Sequence, residues 1–163
     1  MISILVADTS ILPLNKESQI LKELIDSFRV ANKRKPLPVY ERLSYVAMSH
    51  VVELNNGYHD TTLSLYSWPN PVVGTTLLIY KNDIDVLGSL YKPQEVANIN
   101  TPGYEMIHMH VERDSYCSGR CAFNYFVNKP MYRDMMLENR YGRWARMGLW
   151  IREFTSSVWY IKE

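Results

Sequence analysis

The sequence predicts an α+β fold in which helices form the first third of the chain and a pair of strands forms its end. Apolar residues recur with a helical period near the N-terminus, and they alternate with a strand period near the C-terminus. The 163 residues suit one domain, 1–163, and a hydrophobic content of 47% allows a substantial core. No internal repeat or low-complexity tract divides the chain.

Two amphipathic helices are predicted first. Asn15 is a good cap for the first, which ends at the basic residues 33–35 and Pro36. The second follows Pro38 and ends at Asn55-Asn56-Gly57, because Asn and Gly tolerate the left-handed conformation that closes helices. The apolar face of the first helix is Ile20, Leu21, Leu24, Ile25 and Phe28; that of the second is Leu43, Val46, Ala47, His50, Val51 and Leu54. We expect His50 to be a packed or half-exposed residue of that face and not a ligand.

The remaining elements are shorter. The middle of the chain, 69–102, is punctuated by Pro, Gly and Asn and holds one β-like run at 75–80. A third helix is predicted after Gly119. Segments 144–152 and 156–162 are rich in aromatic and branched residues, and Met147, Leu149 and Ile151 alternate as in a half-buried strand. Glu153-Phe154-Thr155 is predicted to turn the two segments into an antiparallel pair.

Short motifs follow one another along most of the chain, and their order is informative. In sequence order they are Arg42-Leu43-Ser44-Tyr45-Val46-Ala47-Met48-Ser49-His50, Leu65-Tyr66-Ser67-Trp68, Lys92-Pro93, Gly103-Tyr104-Glu105, Lys129-Pro130-Met131-Tyr132, Met147-Gly148-Leu149 and Ser157-Val158-Trp159. Together they resemble the CAP superfamily of cysteine-rich secretory, antigen 5 and pathogenesis-related proteins, also called SCP-like domains. The resemblance covers about 17–161, with 1–16 as an N-terminal extension. It implies an α-β-α sandwich with a mainly antiparallel sheet between helices.

The resemblance also implies a degenerate cleft. The family carries His-Ser-Trp and Ser-Pro-x-His where this chain has Tyr66 and Tyr132, whereas Glu105 is kept. Tyrosine is neutral near pH 7, with an ordinary pKa of about 10, and replaces imidazole poorly as ligand or base. We therefore expect no metal or other cofactor in this cleft, and a closed arrangement in which both tyrosines hydrogen-bond Glu105. The alternative is an open pocket that stacks a small ligand on the two rings, such as the lipids or sterols bound within the family.

A second candidate site lies in segment 105–112. If this segment is a strand, His108, His110 and Glu112 share one face. Two imidazoles and a carboxylate are ligands typical of zinc. The competing functional hypothesis is therefore a metal-dependent hydrolase that uses both histidines with Glu112 or Glu105. The simpler interpretation is a surface strand with its polar residues outward.

The only cysteines, Cys117 and Cys121, are separated by three residues. We expect two reduced thiols flanking a turn. A disulfide closing this small loop is the alternative, and a zinc site built on the two thiolates requires two further ligands from elsewhere.

Charge and composition restrict the function further. With 18 basic and 17 acidic residues, the chain is not expected to bind nucleic acid through phosphate neutralisation. No stretch has the ~20 apolar residues of a membrane span. The apolar run 2–7 lacks a preceding basic residue, so no cleaved export signal is expected, and we expect an intracellular protein or one delivered within an assembled particle.

A contact surface is predicted at Arg140, Arg143 and Trp144, because arginine and aromatic residues are enriched at interfaces. A solvated loop before a strand is the alternative. No nucleophile elbow and no phosphate-binding glycine loop is present. We therefore expect a non-catalytic CAP-like binding or structural module. Its predicted use is protein interaction within a larger assembly, such as a viral particle or a surface appendage.

Overall fold

The computed structural model describes residues 13–57, 62–69, 73–81, 87–110 and 116–163. In chain order its elements are α1 (Lys16–Ala31), α2 (Glu41–Gly57), a 3-10 helix (Leu87–Tyr91), α3 (Lys92–Ala97), β1 (Gly103–Met109), α4 (Gly119–Asn128), α5 (Pro130–Met136), β2 (Arg146–Arg152) and β3 (Thr155–Ile161). The strands form an antiparallel sheet in the order β1-β3-β2. The predicted α+β class is confirmed.

The central strand β3 is buried along its whole length because helices cover both faces of the sheet. Val158 and Tyr160 belong to the core beneath α1, α4 and α5, whereas Trp159 and Ile161 belong to the core beneath α2. Side chains of a strand alternate between faces, so a strand with apolar residues at successive positions fits a sheet covered on both sides. The result is the α-β-α sandwich that the motifs imply.

The helix starts follow from their capping residues. The side chain of Asn15 accepts a hydrogen bond from the Ser18 backbone at 2.9 Å, as the predicted start of α1 requires. Ser118 caps α4 in the same way, accepting from the Cys121 backbone at 3.0 Å. Helices α3 and α5 were not predicted, since each is at most seven residues long; the proline in the first turn of each was their only sequence signal.

Two predicted details differ from the structure. The β-like run 75–80 is not a strand of the sheet; within the described residues it forms two isolated bridges, Leu63 with Tyr80 and Trp68 with Leu77. Thr155 is the first residue of β3 and not part of the turn, because it pairs with Arg152 and leaves two residues, Glu153 and Phe154, to reverse the chain.

The outer edge of β2 is covered by the segment before α2. Tyr40 donates its N–H to the Met147 carbonyl at 2.8 Å, and Met147 donates to the Pro38 carbonyl at 3.1 Å. The other edge of the sheet belongs to β1, where the tyrosines of the cleft lie. No helix in the described part of the chain combines the length and the apolar character needed to cross a bilayer.

Candidate functional site

Glu105 lies at the centre of a buried polar group on the α2 side of the sheet. Its Oε1 atom is 2.7 Å from Nδ1 of His50, a residue of α2, and accepts a hydrogen bond from the Ser157 hydroxyl at 2.6 Å. The Glu105 and His50 side chains are 1% and 0% exposed. Glu105 is thus held by His50 and Ser157 and not, as predicted, by the tyrosine hydroxyls.

The surroundings of His50 favour its protonated form. Its Nε2 lies 2.9 Å from the Ser67 carbonyl, so both ring nitrogens face groups that only accept hydrogen bonds. Burial lowers the pKa of His50, but the charge and hydrogen bond of Glu105 outweigh it, with help from the Ser67 carbonyl and Glu53, and the net pKa is raised. The ring also stacks on Trp68, with centroids 4.1 Å apart. An imidazolium with both N–H groups engaged offers neither a base nor a metal ligand.

The order of the three side chains also differs from a nucleophilic triad. In a triad the histidine lies between the serine and the carboxylate and takes the serine's proton. Here the carboxylate lies in the middle, and Ser157 donates to Glu105. Ser157 is 0% exposed, so a substrate has no access to it. The three side chains therefore form a buried ion pair between His50 and Glu105, to which Ser157 donates a hydrogen bond.

The two tyrosines meet at the edge of β1 that faces away from β3. The Tyr66 and Tyr132 hydroxyl oxygens are 2.9 Å apart. Tyr132 donates to the Ile107 carbonyl at 3.2 Å, and Tyr66 lies 3.4 Å from the backbone carbonyl of Glu105. Burial raises the pKa of Tyr132 to about 12 and that of Tyr66 further, so both stay neutral. The three predicted cleft residues are therefore brought together, and the two tyrosine hydroxyls contact each other and the strand backbone.

Replacing Tyr132 by phenylalanine is expected to lower the free energy of unfolding by about 1–3 kcal/mol, because buried polar groups of β1 and Tyr66 lose a partner. Chemical denaturation of the wild-type and variant proteins measures this difference. Tyr116→Phe is the matched control, since Tyr116 is 83% exposed and its hydroxyl is free to bind water. Equal, negligible losses for both variants would contradict a structural role for the Tyr132 hydroxyl.

The two histidines of segment 105–112 lie on the opposite side of β1 from the Glu105 carboxylate. His108 stacks on Tyr125 of α4 with ring centroids 3.9 Å apart, whereas Glu105 points to α2. Glu105 therefore cannot share a metal with them, which corrects that version of the hydrolase hypothesis. The alternative ligand Glu112 lies outside the described residues. His108 is buried and not on a solvated face, because α4 covers this side of the sheet; burial, together with His110 and Lys129, lowers its pKa to about 4.

Cys121 is the residue that the structure adds to this pair of histidines. Its Sγ lies 3.8 Å from Nδ1 of His110, and the ligand atoms of His108, His110 and Cys121 all lie within 4.8 Å of one another. Cys117 and Cys121 are free thiols, in agreement with the reduced state expected. Burial and the neighbouring Cys121 raise the pKa of Cys117 to about 12.

Only two of the three residues of the predicted contact surface are exposed. Trp144 is only 6% exposed, stacks on Tyr160 and donates its indole N–H to the Met135 carbonyl at 2.7 Å. It is a core residue, since an aromatic ring at this position covers the end of the sheet. Arg140 and Arg143 are exposed, and Arg140 lies 3.2 Å from an Asp134 oxygen.

Arg143 borders a groove of about 300 Å³ that the sequence did not indicate. The basic residues before Pro36 come from the other side of this groove, and its lining is Arg29, Lys33, Arg34, Lys35, Leu37, Glu138, Arg143 and Trp144. In the sequence, the basic run 33–35 indicates only the end of a helix. Its proximity to Arg143, more than 100 positions later, becomes visible only in the fold.

Comparison with solved structures identifies the fold. The chain is similar to an extracellular protein containing an SCP domain from Bacillus anthracis (15% identity, TM-score 0.62), over 93% of this chain and 45% of that one. It is also similar to a cysteine-rich secretory protein from Staphylococcus aureus (14%, TM-score 0.56; 93% and 40%) and to an outer surface protein from Borrelia burgdorferi (14%, TM-score 0.59; 89% and 91%). It spans less than half of the first two proteins. No family model and no curated protein matches the sequence. The chain thus has a CAP-like fold.

Proposed function

We propose that this CAP-like domain is a non-catalytic binding module that recognises an acidic segment of a protein partner within a larger assembly. The observation that carries the proposal is the groove between the end of α1 and the loop before β2. Four exposed cations, Lys33, Arg34, Lys35 and Arg143, border it. In the described part of the chain none of the four is in an ion pair.

The acidic residue of the groove does not cancel this charge. Glu138 is paired with buried Arg29 at 3.0 Å and accepts a hydrogen bond from the Trp144 backbone at 3.0 Å. Burial raises the pKa of Glu138, but the Trp144 hydrogen bond and Arg29 outweigh this effect and lower it, so the carboxylate is ionised and neutralised locally. The four cations remain as a net positive surface. Such a surface attracts acidic partners and accelerates their association.

The groove has a rigid base, which favours specific binding over diffuse attraction. Arg29 is 1% exposed and also donates to the carbonyls of Lys35, at 2.9 Å, and Met136, at 2.5 Å. The segment that carries Lys33 to Lys35 is thereby fixed to the end of α5. Preorganised contacts lower the entropy that a partner loses on binding.

The arrangement of the cleft supports a function without catalysis. His50 has no free ring nitrogen, both tyrosine hydroxyls stay protonated, and Ser157 is inaccessible. Among these described side chains of the cleft, none is therefore available as a base, as an acid near neutral pH or as a nucleophile.

Binding of a fluorescent polyglutamate peptide, followed by anisotropy, tests the proposal. We expect Arg143→Glu and Arg34→Glu each to weaken binding by roughly tenfold or more, equivalent to about 1.4 kcal/mol, and added salt to weaken the wild type. Thermal melts should be nearly unchanged because both side chains are exposed.

Arg120→Glu is the matched control. It makes the same charge change at an exposed position of α4 that does not line the groove. If Arg120→Glu reduced the peptide affinity as much as Arg143→Glu, the effect would reflect net charge alone, and the groove would not be the binding surface.

A further inference from the structure

We propose that His108, His110 and Cys121, here called the His-His-Cys cluster, form a zinc site that is separate from the cleft of the CAP-like fold. The cluster joins two sequence features that had no common role: a His-x-His pair at the end of β1 and a cysteine in the first turn of α4. Their ligand atoms already lie within 4.8 Å of one another.

The spacing of these atoms suits tetrahedral zinc. Zinc binds imidazole nitrogen at about 2.0–2.1 Å and thiolate sulfur at about 2.3 Å, so a tetrahedral angle separates the two ligand atoms by about 3.6 Å. The Cys121 Sγ to His110 Nδ1 distance is 3.8 Å. Only a small adjustment is therefore needed to bind an ion between them.

The backbone holds the cluster in place from two sides. His110 donates its N–H to the Phe154 carbonyl at 2.7 Å, and Cys117 donates to the adjacent Glu153 carbonyl at 2.6 Å. The turn between β2 and β3 thus fixes the strand end and the start of α4 side by side. The cap at Ser118 then sets the position of Cys121. Preorganised ligands bind metal more tightly than ligands that must first be ordered.

The side chains around the cluster complete the site. His108 is buried and its ring is oriented by stacking on Tyr125. His110 and Cys121 are half-buried, which leaves a route for an ion from solvent. Cys117 lies beside Cys121 but is not one of the three grouped residues, so the ligands of the proposed site are His108, His110 and Cys121.

The ligand types select the metal class. Imidazole and thiolate together are typical of zinc, whereas calcium and magnesium require oxygen ligands. The site lies across the sheet from Glu105 and is independent of the basic groove, so its metal chemistry and the proposed partner binding are tested separately.

Cobalt(II) titration of the full chain, with reductant present to keep Cys121 a thiol, provides the test. We expect one cobalt ion per chain, with a thiolate-to-cobalt charge-transfer band that zinc abolishes by displacing cobalt. Zinc should also raise the melting temperature, because it binds the folded state. Cys121→Ser should remove the band, and His110→Gln should weaken binding by more than the roughly 10–100-fold cost of losing an outer-shell partner.

Cys117→Ser is the matched control and is expected to retain the band, since it removes the neighbouring thiol and leaves all three ligands. Circular dichroism establishes that each variant is folded. Cys121→Ser and His110→Gln both change a half-buried ligand, so that if one of these variants does not fold, the other still tests the proposal. Three results would overturn the proposal: no one-to-one binding at millimolar cobalt or zinc, a band unchanged in Cys121→Ser, or an equal loss in Cys117→Ser. Any of them would leave the contact between Cys121 and His110 as a simple hydrogen bond.

Discussion

Replacing Glu105 by alanine is expected to lower the free energy of unfolding by about 3–5 kcal/mol, because the substitution leaves the His50 imidazolium buried without its counter-charge. The two side chains are 2.7 Å apart and almost fully buried. Ser157 loses its acceptor in the same variant. Urea denaturation of the wild-type and variant proteins at pH 7 measures the loss.

Glu105→Gln is the informative partner variant. The amide oxygen can still accept from His50 and Ser157, and the shape of the side chain is retained, so the loss should be clearly smaller than for alanine. Similar losses from both variants would show that the charge and not the hydrogen bonding stabilises the fold. Negligible losses from both would mean that the ion pair contributes nothing.

The pH dependence separates the ion pair from simple packing. The pKa of His50 is raised in the folded state, so its contribution to stability is fully present below the unfolded pKa of about 6.5 and is lost as the pH rises through the folded value. The difference in unfolding free energy between wild type and Glu105→Gln should therefore shrink as the pH rises through the folded-state pKa of His50. Other titratable groups, including His108, are common to both proteins, so their contributions to the pH dependence cancel in this difference.

The second large effect is expected at Gly148, where the backbone of α2 packs directly against the sheet. A Cβ atom at this position would lie 2.3 Å from both the Leu43 carbonyl carbon and the Ser44 nitrogen. These are backbone atoms of α2, so the helix must move as a unit and the 3.2 Å hydrogen bond from the Leu149 N–H to the Ser44 hydroxyl is strained. We expect Gly148→Ala to cost about 3 kcal/mol or more, at the upper end for overpacking.

Arg152→Ala is the control for Gly148. It introduces alanine on the same strand at an exposed position, where substitutions usually change stability by less than about 0.5 kcal/mol. Thermal and urea unfolding of both variants provide the comparison. A loss below about 1 kcal/mol for Gly148→Ala would show that α2 can shift from the sheet without strain.

The regular elements followed from local patterns, because their signals are contained within one segment. The cap at Asn15 and the apolar face of α2 each depend on neighbouring residues, and the structure has both. Strand β2 also forms where Met147, Leu149 and Ile151 predicted it, but Gly148 between them is buried as well, so the strand is not half-buried as predicted. The β-like run at 75–80 did not become a strand of the sheet, because β-branched and apolar residues predict extended backbone but not the presence of a pairing partner. Helices α3 and α5 are too short to show a period.

The candidate site was predictable only in part, because it depends on pairs that are distant in sequence. Motif order placed Tyr66, Glu105 and Tyr132 together correctly. It did not reveal that His50, 55 positions before Glu105, is the residue that carries the counter-charge. The signal was available: a histidine on an otherwise apolar helix face must find hydrogen-bond partners when it is buried. Likewise, nothing near His110 in the sequence indicates that Cys121 lies beside it.

The tyrosine hydroxyls at β1 have a consequence for how copies of this protein behave towards one another. An edge strand with unpaired N–H and C=O groups is a template on which another chain can add a strand, and this is a common route to aggregation. In β1 the outward carbonyls of Glu105 and Ile107 are contacted by Tyr66 and Tyr132. A second chain must displace both buried hydroxyls before it can pair there. Tyr66 and Tyr132 thereby protect this edge of the sheet from intermolecular strand addition.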